Sequence, residues 1–394
     1  MPNYKTAQMK LLRTISYLQN TSWVLGSHRR ISSSASEQID SWRGASALAV
    51  VVAHAQQIFV APLYSGAYPI FGLASQFAVM VFFALSGFLI CKSATRNFRD
   101  NSRFDLREYA VDRLNRILPP FVFSLVFLAL LCFVSPYVFP SGTSVFIEAG
   151  SFMARHELDV TALQMFGALF FVNGFLTETP PANGALWSLP YEVWYYFAFG
   201  LMLAVRGRLG LVLAAGFMLA LGMRNNGFIL LSMVWASGAL VAVLHNNNLI
   251  NAYYAKWVTF VFGVIALMFA GSYLVRFYGG EPVANYPRSV VLWSAFSGVS
   301  FCGVLALVVN GAMKGRALFG RTARFSYTLY LSHYPLLLFI YGVSQQGIMH
   351  DLVLSFVVAI VSALGCVVFA SVVAGYVENY RLLKARPKET AAAR

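Results

Sequence analysis

The chain has 394 residues, of which 58% are hydrophobic and only 11% charged, and its mean hydropathy is +0.65. That composition excludes an ordinary soluble domain, and long apolar runs without ten-residue alternation exclude a transmembrane β-barrel. The net charge of +14 raises nucleic acid as a partner, but in a chain this apolar it reads first as topology, and no nucleic-acid contact is expected.

Residues 1–38 are basic and then serine-rich, with no apolar core before a cleavage site. They read as a flexible cytoplasmic tail rather than a signal peptide. The membrane domain is expected over 39–378, with a short basic tail at 379–394. Within it, apolar runs predict spans near 44–60, 68–91, 117–138, 185–205, 209–223, 227–244, 257–275, 289–311, 325–343 and 352–377. A further run at 162–176 is ambiguous, and charge decides it. If that run does not cross and the N-terminus is cytoplasmic, all but four of the 29 Lys and Arg face the cytoplasm. The exceptions are Arg155, Arg224, Arg276 and Arg288. If it does cross, the groups at 314–324 and 381–388 move outside, against the positive-inside rule. The expected fold is therefore an all-α polytopic membrane protein of about ten transmembrane helices with both termini cytoplasmic. Residues 139–184 would form an outer segment with a partly buried or re-entrant helix. The four cysteines show no metal or pairing pattern and read as small core residues.

The first span opens with Asp40 and Arg43 and runs apolar to a single histidine, His54. Eleven residues is about three helical turns, so Arg43 and His54 share a face roughly 16 Å apart. An imidazole at that depth could take a proton from a hydroxyl or carry an acyl group. It could equally hydrogen-bond a neighbouring helix. Glu192, in WSLPYEVWYY, lies about 12 Å into its span from the opposite side. Ser188, Tyr195 and Tyr196 share its face. The stripe could orient an imidazolium or hold a sugar, or be an interfacial aromatic belt with one acid. His333, in SYTLYLSHYP, lies about 13 Å from Arg324, with Ser326 and Tyr330 on its side. Three polar groups from three helices at similar depth make a site plausible.

Arg113 and Arg116, at i and i+3 before Pro119 and Pro120, suit phosphate oxygens. They also suit lipid headgroups, the reading preferred for nearby Lys92, Arg96, Arg99, Arg103 and Arg107. The Ser86–Gly87 pair of SGFLI reads as close helix packing. Gly-rich phosphate loops, HExxH, CxxC pairs and GxSxG are absent, so no metal or nucleotide hydrolysis is expected.

Taken in order, D-x-x-RG with a following histidine (Asp40, Arg43, Gly44, His54), SGFLI, RLNRILPP, WSLPYE and SYTLYLSHYP resemble the type-3 integral-membrane acyltransferases. This is the family of bacterial O-acetyltransferases of lipopolysaccharide, exopolysaccharide and Nod factors. The resemblance covers nearly everything after residue 38. It implies an acyl group, usually acetyl, taken from acyl-coenzyme A in the cytoplasm and passed to a carbohydrate hydroxyl, in a multi-pass protein of the bacterial inner membrane. His54 corresponds to the family's essential histidine, and Arg113 and Arg116 to its Arg-x-x-Arg pair. On this reading His54, Glu192 and His333 are catalytic, and Arg113, Arg116 and Arg43 hold the donor acetyl-CoA. Trp187, Ser188, Tyr327 and Tyr330 line the acceptor site, and Asp40 orients Arg43. A separate extracytoplasmic acyl-accepting partner is left open. The rival readings are a proton-coupled transporter or exporter, with His and Glu as a relay, and a non-catalytic scaffold.

Overall fold

The computed structural model describes residues 27–147, 152–205, 207–281 and 287–378. Most of the expected N-terminal tail and all of the C-terminal one lie outside them. Among the described residues the regular elements are helices, with two isolated bridges, Val145 to Glu157 and Asn173 to Thr177.

In chain order the helices are α1 Ser33–Ala55, α2 Tyr68–Asn101, α3 Leu106–Val138, α4 Ala162–Leu169, α5 Ser188–Ala204, α6 Arg208–Gly222, α7 Asn226–Asn246, α8 Ala252–Tyr278, α9 Pro287–Val309, α10 Ser326–Ile348 and α11 Leu352–Val377. Short 3₁₀ segments precede α2 (Ser65–Ala67), α5 (Pro181–Trp187) and α10 (Thr322–Arg324). Helix α1 starts at Ser33, inside the stretch expected as tail. Ser32 caps it by accepting from the Ala35 amide, which satisfies one free donor of the first turn.

Each predicted span coincides with a helix. Six helices are long and apolar enough to cross a bilayer, namely α2, α3, α7, α8, α9 and α11. The other four coincide with shorter or more polar helices. Helices α5 and α6 have 17 and 15 residues, whereas α1 and α10 have 23 each but carry Asp40, Arg43, His54, Ser326, Ser332 and His333. Helix α4 has 8 residues, about 12 Å, which is less than half of a hydrocarbon core.

Bonds between helix termini gather the starts of α1, α3, α8 and α10 and the ends of α2, α7, α9 and α11 at one end, which is rich in Lys and Arg. We call this the basic end, and the other the far end. Close packing depends on small residues. A Cβ on Gly87 of α2 would stand 2.0 Å from the Trp235 carbonyl of α7, and one on Gly238 of α7 would stand 2.0 Å from the Ala84 carbonyl of α2. The two glycines thus let these helices touch backbone to backbone. Cys91, Cys302 and Cys366 are buried, Cys132 is half-buried, and all four are free thiols.

At the basic end Lys92 is only 5% exposed. It does not reach headgroups. Its ammonium donates to the Arg29 carbonyl (2.8 Å) and Asn246 Oδ1 (2.5 Å) and bonds His245 Nδ1 (2.7 Å). Ser27 Oγ adds a bond to the Asn246 carbonyl at 2.6 Å. A buried lysine so enclosed ties the segment before α1 onto α2 and α7.

Candidate active site

Helix α10 is buried along most of its length and brings His333 to the middle of the bundle, where it is 0% exposed. Its Nδ1 bonds the Leu329 carbonyl at 3.0 Å. Pro335, two residues on, cannot donate to the carbonyl of Leu331. Asn183 Nδ2, from the 3₁₀ segment before α5, donates to that carbonyl instead at 2.9 Å. The proline thus ties α10 to the far-end segment beside the histidine.

His54 comes from the last turn of α1, where the helix passes into a π-helical turn, Gln56–Val60. Such turns often mark functional positions. The His54 and His333 ring centroids are 5.3 Å apart, and Tyr334 meets His54 edge to face at 4.9 Å. The Gln57 side chain and Arg155 are polar neighbours of the His54 ring. Arg155, between α3 and α4, donates to the Pro181 carbonyl (2.8 Å) and the Ala154 carbonyl (2.5 Å). Its guanidinium also lies 5.6 Å from the Tyr334 ring centre. His54 Nδ1 and His333 Nε2 are both buried without a hydrogen-bond partner among the described residues. Buried polar atoms are rarely left so, which makes a pair of them in facing rings a pointer to chemistry.

Glu192 belongs to a second cluster, nearer the basic end. It accepts from Tyr196 Oη one turn on. The Tyr196 hydroxyl also bonds Ser86 Oγ at 2.8 Å, and Trp235 Nε1 donates to Ser86 Oγ at 3.2 Å. Glu192, Tyr196 and Ser86 line a narrow cavity of about 70 Å³, together with Arg43, Arg116, Ser188, Ser326, Tyr327 and Tyr330. Tyr327 Oη is buried there without a partner among the described residues. Ser188 Oγ and Tyr330 Oη bond at 2.7 Å, and Tyr330 donates to the Ala185 carbonyl at 3.0 Å. The Tyr330 ring is 6.1 Å from that of His333. Tyr330 therefore stands between the cavity and the histidine pair.

Arg43 forms an ion pair with Asp40 at 3.4 Å. Arg116 reaches the cavity, whereas Arg113 turns to the α2 side, donating to Ser93 Oγ at 3.1 Å over the Tyr109 ring. Trp187 packs against Phe83 and Tyr191 and does not line the cavity.

The structure therefore brings the predicted residues into two groups. Arg43, Arg116, Ser188, Glu192, Tyr327 and Tyr330 surround the cavity; His54 and His333 pair beyond Tyr330. Arg113 and Trp187 stand outside both. Sequence reasoning gave Ser86 a packing role only, and gave Arg155 none. The sole signal for Ser86 was its place beside the close-packing Gly87. For Arg155 it was its place among the few arginines assigned to the outer side.

A multi-pass helical bundle with a basic end, an acid–tyrosine–arginine cavity and paired imidazoles has the parts of a membrane group-transfer enzyme. The family model described as an acyltransferase domain matches residues 36–374, and the chain belongs to this family, the type-3 acyltransferases. No curated protein matches the chain, and no solved structure does.

Proposed function

We propose that this membrane acyltransferase is an O-acetyltransferase, moving acetyl from acetyl-coenzyme A to a hydroxyl of a cell-envelope or exported carbohydrate. The observation that carries the reading is the near-continuous line of polar side chains through an otherwise apolar bundle. It runs from Arg43 and Arg116 at the basic end, through Glu192, Tyr196 and Tyr330, to His333 and His54. With the basic end in the cytoplasm, as the positive-inside rule favours, the donor enters beside the arginines. The acceptor approaches from the far end, where Arg155 and Tyr334 adjoin His54. The setting is then the bacterial inner membrane.

His54 acts as general base. Its free ring nitrogen takes the proton of the acceptor hydroxyl as that oxygen bonds to the thioester carbonyl carbon. The carbon–sulfur bond then breaks, and the proton passes to the departing coenzyme thiolate. His333, fixed through Nδ1, orients His54, while Glu192 and Tyr330 position the acyl chain or sugar. A covalent acetyl on His54, or hand-over to a separate extracytoplasmic partner, gives the same overall balance.

The test is purified protein in nanodiscs with radiolabelled acetyl-coenzyme A, wild type beside His54→Ala, with label followed onto water or a glycan panel. Label leaving the coenzyme with wild type alone supports the reading. No turnover with any acyl donor refutes it and directs attention to vectorial transport.

A further inference from the structure

We propose that a vestibule at the basic end, walled by Arg43, Arg321 and Arg324, is the seat for the phosphorylated nucleotide end of the acyl-thioester donor. The proposal rests on the acyl-coenzyme A reading above and adds Arg321 and Arg324 to the donor site.

The vestibule has a cavity volume of about 700 Å³, ten times that of the inner cavity, and is lined by Glu37, Asp40, Arg43, Arg321, Arg324 and the loop around Leu318. Arg43 lines both spaces. A wide chamber and a narrow one therefore share Arg43 as a common wall. That shape suits a ligand with a bulky polyanionic head and a thin flexible arm, which is the outline of a coenzyme A thioester.

The arrangement is built rather than incidental. Gly44 lies where an added Cβ would come within 2.2 Å of the Phe319 carbonyl and 3.0 Å of Thr322 Cβ. Ser41 Oγ accepts from the Phe319 amide at 3.1 Å. Ser41 and Gly44 therefore seat the 319–322 loop on α1, which places Arg321 and Arg324 around the same space as Arg43. Arg321 and Arg324 are exposed and form no ion pair with a described residue. Arg43 is paired with Asp40 through one terminal nitrogen, which leaves other donors of its fork available. Guanidinium groups bind phosphate oxygens in bidentate fashion. The two carboxylates on the wall can accept from ribose hydroxyls or an adenine amino group, and Leu318, 72% exposed, offers an apolar face for a purine.

The same arginines would also suit an anionic lipid headgroup, and the experiment separates the two. Full-length protein in nanodiscs, with and without phosphatidylglycerol, is assayed with acetyl-coenzyme A and with S-acetylpantetheine, which lacks the nucleotide. Adenosine 3′,5′-bisphosphate is added as a competitor. The Arg321→Ala/Arg324→Ala double variant is compared with wild type, and with Arg324→Gln alone should the double variant melt early. The expected result is a preference for acetyl-coenzyme A in wild type that falls at least tenfold in the variant, through KM, with loss of competition by the bisphosphate. A preference and competition unchanged in the variant overturn the proposal, as does equal loss with both donors. So does an effect seen only when phosphatidylglycerol is present, which assigns the arginines to lipid. Wild type turning over neither donor overturns the coenzyme reading itself and this seat with it.

Discussion

His54 and His333 face each other across the α1–α10 contact, 5.3 Å between ring centroids, with one nitrogen of each free of any described partner. The Leu329 carbonyl occupies His333 Nδ1, so the nitrogen His333 presents is Nε2. Of the two, His54 is the half-buried residue, whereas His333 is fully enclosed. His54→Ala should therefore lower transfer by about 10²–10⁴-fold with insertion and melting temperature little changed. His333→Ala should lower kcat less and leave KM for the donor in place. Equal kcat values for wild type and His54→Ala would remove His54 from the mechanism.

The Glu192–Tyr196–Ser86 network predicts a different pattern. Tyr196→Phe removes the hydroxyl donor to the part-buried Glu192 carboxylate, at a cost of about 1–3 kcal/mol in stability. Glu192→Gln keeps the shape and removes the charge. If Glu192 positions the acyl chain or sugar, this second variant should raise KM several-fold while melting close to wild type. Steady-state kinetics beside thermal unfolding in detergent separates the two outcomes.

The parts of this site differ in how readily the sequence discloses them. His54 stands out because one imidazole interrupts a long apolar run, and His333 because Ser326 and Tyr330 recur at helical spacing before it. Both are local patterns. Partners are not local. Arg113 and Arg116 look equivalent in sequence, yet three residues is 300° of rotation, so their side chains point about 60° apart. One meets Ser93 and the other the cavity. Lys92 reads as one more headgroup anchor because its acceptors, Asn246 and His245, lie more than 150 positions away. The helices were legible from hydropathy. The two-chamber layout was not, since it depends on which faces α2, α5 and α10 turn toward one another.

Gly87 tests the packing that holds the cavity wall. A side chain at Gly87 must displace the α7 backbone, 2.0 Å from where its Cβ would stand. Gly87→Val should destabilise the protein by about 1–3 kcal/mol and disturb Ser86, which shares that turn. Gly216 of α6 has no atom within 4 Å of its added Cβ, and Gly216→Ala should leave both melting and turnover unchanged or slightly raise stability. Comparable losses in the two variants would show that helix contact is not what Gly87 serves.

Lys92 makes the last case, because its role is structural although its charge suggests otherwise. Lys92→Met keeps the length of the side chain but removes every donor. Asn246 Oδ1, His245 Nδ1 and the Arg29 carbonyl then lose a partner, and the first two belong to residues that are 4% and 1% exposed. Leaving buried acceptors unpaired costs about 1–3 kcal/mol each, softened where a water can enter. The variant should melt lower and show faster amide exchange from Ser27 to Ile31, because the segment before α1 loses its tie to α2 and α7. Exchange in α10 around His333 should hardly change, since none of the Lys92 bonds reaches it. A Lys92→Met protein whose 27–31 amides exchange as slowly as wild type would show that Ser27 and Arg29 hold the segment unaided.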